Sequence, residues 1–265
     1  MQRKMAILNP ANVSKNVLLK YWESHAEDVL VWLKGRPVTL EQVFDNKVIY
    51  RRYVDKQHKN LIMVNSKQDV LQWAYRHTYS FHPYICSTLQ IAPCWYVLDI
   101  DTNNVSFVNI KKVTYWLVGI LQSKFKYKVK IAFCGKNGFH VFIELADFLQ
   151  NQQEVFNFSK HLTLKLAKLA YLENIHKKYK LNIALTSVQE NELLKLFLIE
   201  QKKKGLLPDM FKKTIYFDTR ILHRFANIRS PWSIHPETGL ISKPVEYKDL
   251  LRFSKKSAEI QKNIL

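Results

Sequence analysis

Residues 124–145 admit little other than a β-hairpin. In KFKYKVKIAF, Lys124, Lys126, Lys128 and Lys130 alternate with Phe125, Tyr127, Val129 and Ile131. That period of two sends the lysines to one face of a strand and the apolar residues to the other. The run FHVFIEL returns after CGKNG, a five-residue loop holding two of only six glycines in the chain. Glycine lets a backbone turn sharply and lets peptide N–H groups close on an anion. The spacing therefore predicts a pair of strands with Cys134, Gly135, Lys136, Asn137 and Gly138 at the turn.

Further runs extend that frame. CWYVLDID (94–101) and TIYFD (214–218) are dense in β-formers, and KVIYRRYV and KNLIMV read as strands. Ser14 is placed to cap a helix that runs to Gly35-Arg36-Pro37, and helical spacing recurs over 67–76, 110–123, 153–179 and 187–204. No repeat or Pro/Gly-rich linker divides these pieces, so one α+β domain over residues 1–265 is expected. With 47% hydrophobic and 13% aromatic residues the chain can fill a core, which excludes a disordered protein.

Charge narrows the partner. Lys and Arg number 41 against 22 Asp and Glu, a net of +19 that calls for a polyanion. The N-terminus MQRKMAILNPANV lacks the apolar core of a signal peptide, the greasy run at 113–121 is too short to span a bilayer, and the chain ends KNIL without a cysteine to prenylate. Membrane attachment is set aside and a cytoplasmic nucleic-acid partner is expected. Cys86, Cys94 and Cys134 are too few for a disulfide framework, a four-cysteine zinc site or an iron–sulfur cluster. In a reducing compartment Cys86 and Cys94 read as buried or incidental, and with His82 they give three candidate zinc ligands and no fourth.

Four groups of residues are candidates for chemistry. Asp99 and Asp101, two apart on a strand, share a face, and close negative charges are costly unless a cation neutralises them. A lone DxD is equally a solvated strand end. Lys136 and the glycine-loop amides suit a phosphate, and period two aims His140 at the face that the carboxylates would occupy; an ordinary turn with a core histidine is the plainer alternative. Asp218 ends its strand as Asp101 ends its own and offers a third carboxylate. Arg229, Ser233 and His235, set around Pro231, can bind phosphate oxygens. Arg51, Arg52 and Lys56, interleaved with Tyr50 and Tyr53, can hold a template backbone and stack a base, or be merely a solvated face.

The ordered set DID, Gly-x-x-Gly-Phe-His, strand-end Asp and RSPWSIHPETGL resembles the archaeo-eukaryotic primase superfamily, its C-terminal part being similar to the catalytic small subunit of replicative primases. LNPANVSKNVLLKYW, LKGRPVTL and DVLQWAYRHTYSFHPYICS resemble the polymerase domain of bacterial ligase D, so the likeness spans roughly residues 7–250. It implies a primase catalytic fold without a zinc module: an N-terminal α/β module (1–90), a modified RRM-like sheet with helices (91–253) and a tail (254–265). It further implies that Asp99, Asp101 and Asp218 hold two Mg²⁺ or Mn²⁺ ions. By the same resemblance His140, residues 134–138, Arg229, Ser233 and His235 bind a triphosphate, His82 meets the sugar, and Arg51, Arg52 and Lys56 meet template.

The implied activity is a DNA-templated primase-polymerase that makes and extends primers from NTPs or dNTPs and releases pyrophosphate. Its implied partners are single-stranded or primed DNA and proteins of a replication, repair or CRISPR system. The chain departs from the pattern at Cys134, where the family loop has Ser, at Asn137, where it has Lys or Arg, and at Tyr84, where the ligase branch has Trp. An end-joining or gap-filling polymerase, a binding module that has lost catalysis, and a metal-dependent nuclease stand as the other readings.

Overall fold

A computed structural model describes residues 13–45, 47–55, 57–86, 94–145, 152–203, 213–219, 221 and 226–260. Helix α1 (Lys15–Leu33) starts where the Ser14 side chain accepts from the Val17 amide. Its buried stripe, Leu18, Tyr21, Trp22, Ala26, Val29 and Leu33, follows helical periodicity onto a small sheet. That sheet is β1 (Val38–Phe44), β2 (Lys47–Arg51) and β3 (Thr78–Pro83), antiparallel in the order β2-β1-β3. Helix α2 (Lys67–Tyr75) begins with a reciprocal capping box between Ser66 and Asp69 and packs beside α1.

The second sheet has five strands in the order β5-β6-β4-β8-β7: β5 (Val129–Phe133), β6 (Phe139–Leu145), β4 (Cys94–Asn103), β8 (Thr214–Asp218) and β7 (Asn182–Leu185). All pairs are antiparallel except β7 with β8. Its apolar face, with Leu98, Ile100, Val141, Ile143, Ile215 and Phe217, joins one core with residues of α3 (Phe107–Ser123) and α4 (Gln152–Leu172). Helices α5 (Ile175–Tyr179) and α6 (Val188–Lys203) flank β7 in the chain, and no described helix is long and apolar enough to cross a membrane. The architecture is α+β, with one core under each sheet and Trp232 packed against both.

Several sequence expectations are corrected. The helix expected over 153–179 breaks at Asn174, whose φ of 56° lies in the left-handed region. The strand expected from Lys124 begins only at Val129, because Lys126 turns left-handed (φ 60°) and the Tyr127 amide still bonds the Leu121 carbonyl at the end of α3. KNLIMV forms only isolated bridges, Leu61 with Tyr53 and Met63 with Pro37. Strands β1, β3 and β7 were not expected, since β1 and β3 are buried along nearly their whole length and lack an alternating pattern. Cys86 and Cys94 are not incidental: they form a disulfide, while Cys134 is a buried thiol.

Arg36 ties the two halves together. Its guanidinium donates to the Tyr84 and Ile85 carbonyls at 3.0 and 2.8 Å and lies 3.6 Å from the Trp95 ring centroid. Burial lowers its pKa to about 10, opposed by Glu144, so it stays charged. Arg36→Met would leave buried carbonyls without that donor. We expect it to cost about 2–3 kcal/mol, read as a lowered urea midpoint at unchanged slope.

Candidate metal and phosphate site

The register of β4 builds the acidic site. Asp99 lies opposite His140 on β6 and opposite Asp218 on β8, and Asp101 lies opposite Tyr216. Residues directly opposite point to the same face, as do residues two apart, so all three carboxylates emerge together on the face away from the core. One ligand oxygen from each of Asp99, Asp101 and Asp218 falls within a 4.8 Å cluster that could hold a metal ion. Asp218 is buried and Asp101 exposed, so the cluster runs from interior to solvent. Thr186, just after β7, donates to Asp218 at 2.5 Å and accepts from the Thr219 amide at 2.9 Å, which holds the end of β8. An all-oxygen donor set of clustered carboxylates fits a hard divalent cation such as Mg²⁺ or Mn²⁺.

The glycine loop stands beside this cluster. Cys134, Lys136 and Asn137 line a cavity of about 390 Å³ together with Asp101, Thr186 and Tyr216. Gly138 passes so close to β4 that a Cβ there would sit 2.1 Å from the Ile100 carbonyl oxygen. Gly135 holds φ +89° against the C-terminal turn, where a Cβ would meet the His235 Cβ at 2.8 Å. The Cys134 thiol accepts from the Gly138 amide at 3.1 Å, and burial pushes its pKa up, so it closes the loop as a neutral group. Lys136 pairs with Glu237 at 2.5 Å. Asn137 Oδ1 accepts from Lys255, which brings an ammonium group to the place left without one by the asparagine.

The segment carrying Arg229 and His235 lies along β3. The Ser230 amide bonds the Phe81 carbonyl at 2.9 Å, the Ile234 amide bonds the Tyr79 carbonyl at 2.8 Å, and Tyr21 of α1 donates to the Trp232 carbonyl at 2.5 Å. Ser233 is fully buried, and its hydroxyl is engaged by the Phe81 amide and carbonyl and by Ser230. It braces the turn and is withdrawn from the expected phosphate ligands. His235 Nδ1 accepts from the Glu237 amide at 3.2 Å, so the neutral ring carries its proton on Nε2. Burial and the neighbouring Arg229 lower the His235 pKa to about 3. His140, with Nε2 3.5 Å from Asp99 Oδ1, is likewise pushed to about 3, first by burial and then by Arg229.

A carboxylate that no sequence motif singles out organises the roof of the crevice. Glu41 of β1 is 1% exposed and accepts from Tyr50 at 2.7 Å on Oε1, and from Arg229 at 2.8 Å and His82 at 3.1 Å on Oε2. Burial alone would raise its pKa, but Arg229 and His82 outweigh burial and hold it well below the carboxylate range. Arg229 also donates to Ser80 at 3.1 Å and to the Cys134 carbonyl at 3.3 Å, so one guanidinium touches β1, β3 and the glycine loop. Asn227 donates to Thr39 at 3.1 Å on the same sheet face. The clue in the sequence was a lone acid within the apolar run VTLEQVF.

Arg51 and Arg52 are exposed at the end of the edge strand β2, where with Tyr50, Tyr53 and His58 they line a cavity of about 350 Å³. Lys56 lies outside the described residues. Structure therefore gathers Asp99, Asp101, Asp218, His140 and the glycine loop at one place, and Arg229, His235 and His82 along its roof.

Comparison with known proteins gives two findings. Residues 99–247 match the family model described as DNA primase small subunit. The whole fold is similar to the polymerase domain of Mycobacterium tuberculosis ligase D, solved in complex with DNA, with a TM-score of 0.64 and 13% identity over 97% of this chain and 93% of that one. No curated protein sequence matches the chain.

Two outcomes follow from the geometry. Gly138→Ala forces backbone apart, so it should destabilise the protein by at least about 3 kcal/mol in denaturant titration, whereas a surface alanine costs far less. For pH, His235 binds its proton at about 3 when folded against an ordinary 6.5. The unfolded chain thus takes up more protons, and stability falls as pH drops from 6.5 towards 3. Metal-free melting curves at neutral pH and near pH 5 should differ by on the order of 2 kcal/mol more in wild type than in His235→Gln.

Proposed function

The chain belongs to the DNA primase small-subunit family, and from that premise we propose that it is a DNA-templated primase-polymerase that joins nucleoside triphosphates to a 3′-hydroxyl with release of pyrophosphate. The observation that carries this reading is the meeting of Asp99, Asp101 and Asp218 within 4.8 Å beside a glycine loop. Divalent cations held by these carboxylates would lower the pKa of the attacking hydroxyl and bind the triphosphate.

The protein's own groups would do the rest. The loop amides of Gly135 and Asn137, not engaged by the Cys134 thiol, and the Nε2–H of His235 donate to triphosphate oxygens. Arg229 supplies two N–H groups beyond the three used by Glu41, Ser80 and Cys134. His140 and His235 are held neutral by burial, so each keeps a single ring N–H and adds no positive charge to the site at neutral pH. His82, on the roof beside Glu41, would meet the sugar. Arg51 and Arg52, with exposed Tyr50, would track template by phosphate contact and stacking. The ligase D domain to which the chain is similar was solved with DNA, which supports a nucleic-acid ligand for the basic face.

Asp99→Asn and Asp218→Asn should each reduce incorporation of labelled nucleotide on a single-stranded template with Mn²⁺ by about two orders of magnitude or more. Salt-sensitive template binding should persist in both. Undiminished synthesis, or cleavage of template in the absence of nucleotides, would refute the proposal.

A further inference from the structure

Glu41 is a poor residue to bury unless it performs work. An ionised carboxylate at 1% exposure loses its hydration and is retained only with strong compensation. Here the compensation comes from three side chains on three different segments: Tyr50 on β2, His82 on β3 and Arg229 on the loop after β8. Two of those partners are the groups assigned above to the sugar and the triphosphate.

The hydrogen-bond polarity is unambiguous. Arg229 keeps Glu41 ionised, so both carboxylate oxygens can only accept. His82 Nε2, 3.1 Å from Oε2, must therefore carry a hydrogen. Burial, the largest influence on the ring, lowers the His82 pKa despite Glu41, so at neutral pH the imidazole has one proton and it is on Nε2. Nδ1 is left as a lone-pair acceptor, and it makes no hydrogen bond to a described residue. The side chain retains 11% exposure. A lone pair cannot bind a phosphate oxygen, which also only accepts, but it can take a hydrogen from a hydroxyl.

We infer that Glu41 is a positioning residue for substrate selection: it fixes His82 as an acceptor for a sugar hydroxyl and clamps Arg229 for the triphosphate through the same oxygen. This rests on the nucleotide-binding reading above and adds a determinant to it. Tyr50 completes the device by donating to Oε1, which keeps the carboxylate plane from rotating, and its ring stands edge-on to His82 with centroids 6.1 Å apart.

The test has two arms on the 265-residue chain. Nitrogen NMR of histidine-labelled wild type at neutral pH reads the His82 ring directly, with Nε2 protonated and Nδ1 bare as the expected pattern; assignment uses His82→Asn. Binding of ATP, 2′-deoxy-ATP and 3′-deoxy-ATP with Mg²⁺ is then measured without template. Wild type should lose about three- to tenfold in affinity when the hydroxyl read by His82 is removed, the worth of one hydrogen bond. Glu41→Gln, checked for native circular dichroism, should bind all three alike and each more weakly. Glu41→Asp, which keeps the charge, should restore part of the discrimination. A wild-type ring protonated on Nδ1, or equal discrimination in wild type and Glu41→Gln, overturns the inference and leaves the polymerase reading intact. Wild type that binds none of the three nucleotides overturns the polymerase reading itself, while the ring spectrum still reports whether Glu41 sets the tautomer.

Discussion

Antiparallel pairing of β4 with two neighbours is the constraint from which the site follows. Opposed residues share a face, so a single register puts Asp99 against both His140 and Asp218. A slip of one residue would turn the carboxylates into the core and bring Leu98 and Ile100 to the solvent face, at the cost of several buried apolar side chains. The hydrophobic core thereby specifies the acidic cluster. Three negative charges are gathered by packing forces acting on the opposite side of the same strands.

Across the crevice the balance is electrostatic. Thr39, Glu41, Ser80 and His82 share the face of the N-terminal sheet that turns towards the loop at 226–235. Arg229 crosses the gap and is satisfied by a carboxylate, a hydroxyl and a carbonyl from three places. A buried pair of this kind adds little net stability over an apolar replacement, but breaking one partner leaves the other charged and unsolvated. It therefore acts as a register pin between two separately packed cores. Arg36, bonded to the Tyr84 and Ile85 carbonyls beside Trp95, does the same at the covalent crossing.

The departures from the family pattern are absorbed locally. Cys134 supplies a thiol that accepts from the Gly138 amide and closes the loop. Asn137 recruits Lys255 from a segment that the sequence suggested was only a tail. Lys136, the lysine within the loop, pairs with Glu237. The glycines set the backbone shape of the loop, and its polar side chains are paired with Glu237 and Lys255, which lie far away in the chain.

Local pattern was enough to identify the strand CWYVLDID, the glycine hairpin, the capped helices and the motif order, because each depends on propensity and spacing over a few residues. Those signals carried Asp99, Asp101, His140 and Asp218; period two puts Asp99 and Asp101 on one face, and the strand register brings His140 and Asp218 to it. Strands β1 and β3 escaped because burial on both faces erases alternation, and Glu41 escaped with them. Sequence pattern makes Ser233 a candidate phosphate ligand, and only the fold shows its hydroxyl turned to the Phe81 backbone. The pairing of Cys86 with Cys94 and the partners of Arg229 are likewise matters of tertiary approach. Residue types and their intervals determined which groups were available for chemistry; which of them meet, and in which protonation state, was decided by long-range packing that removes water from some and brings charge to others.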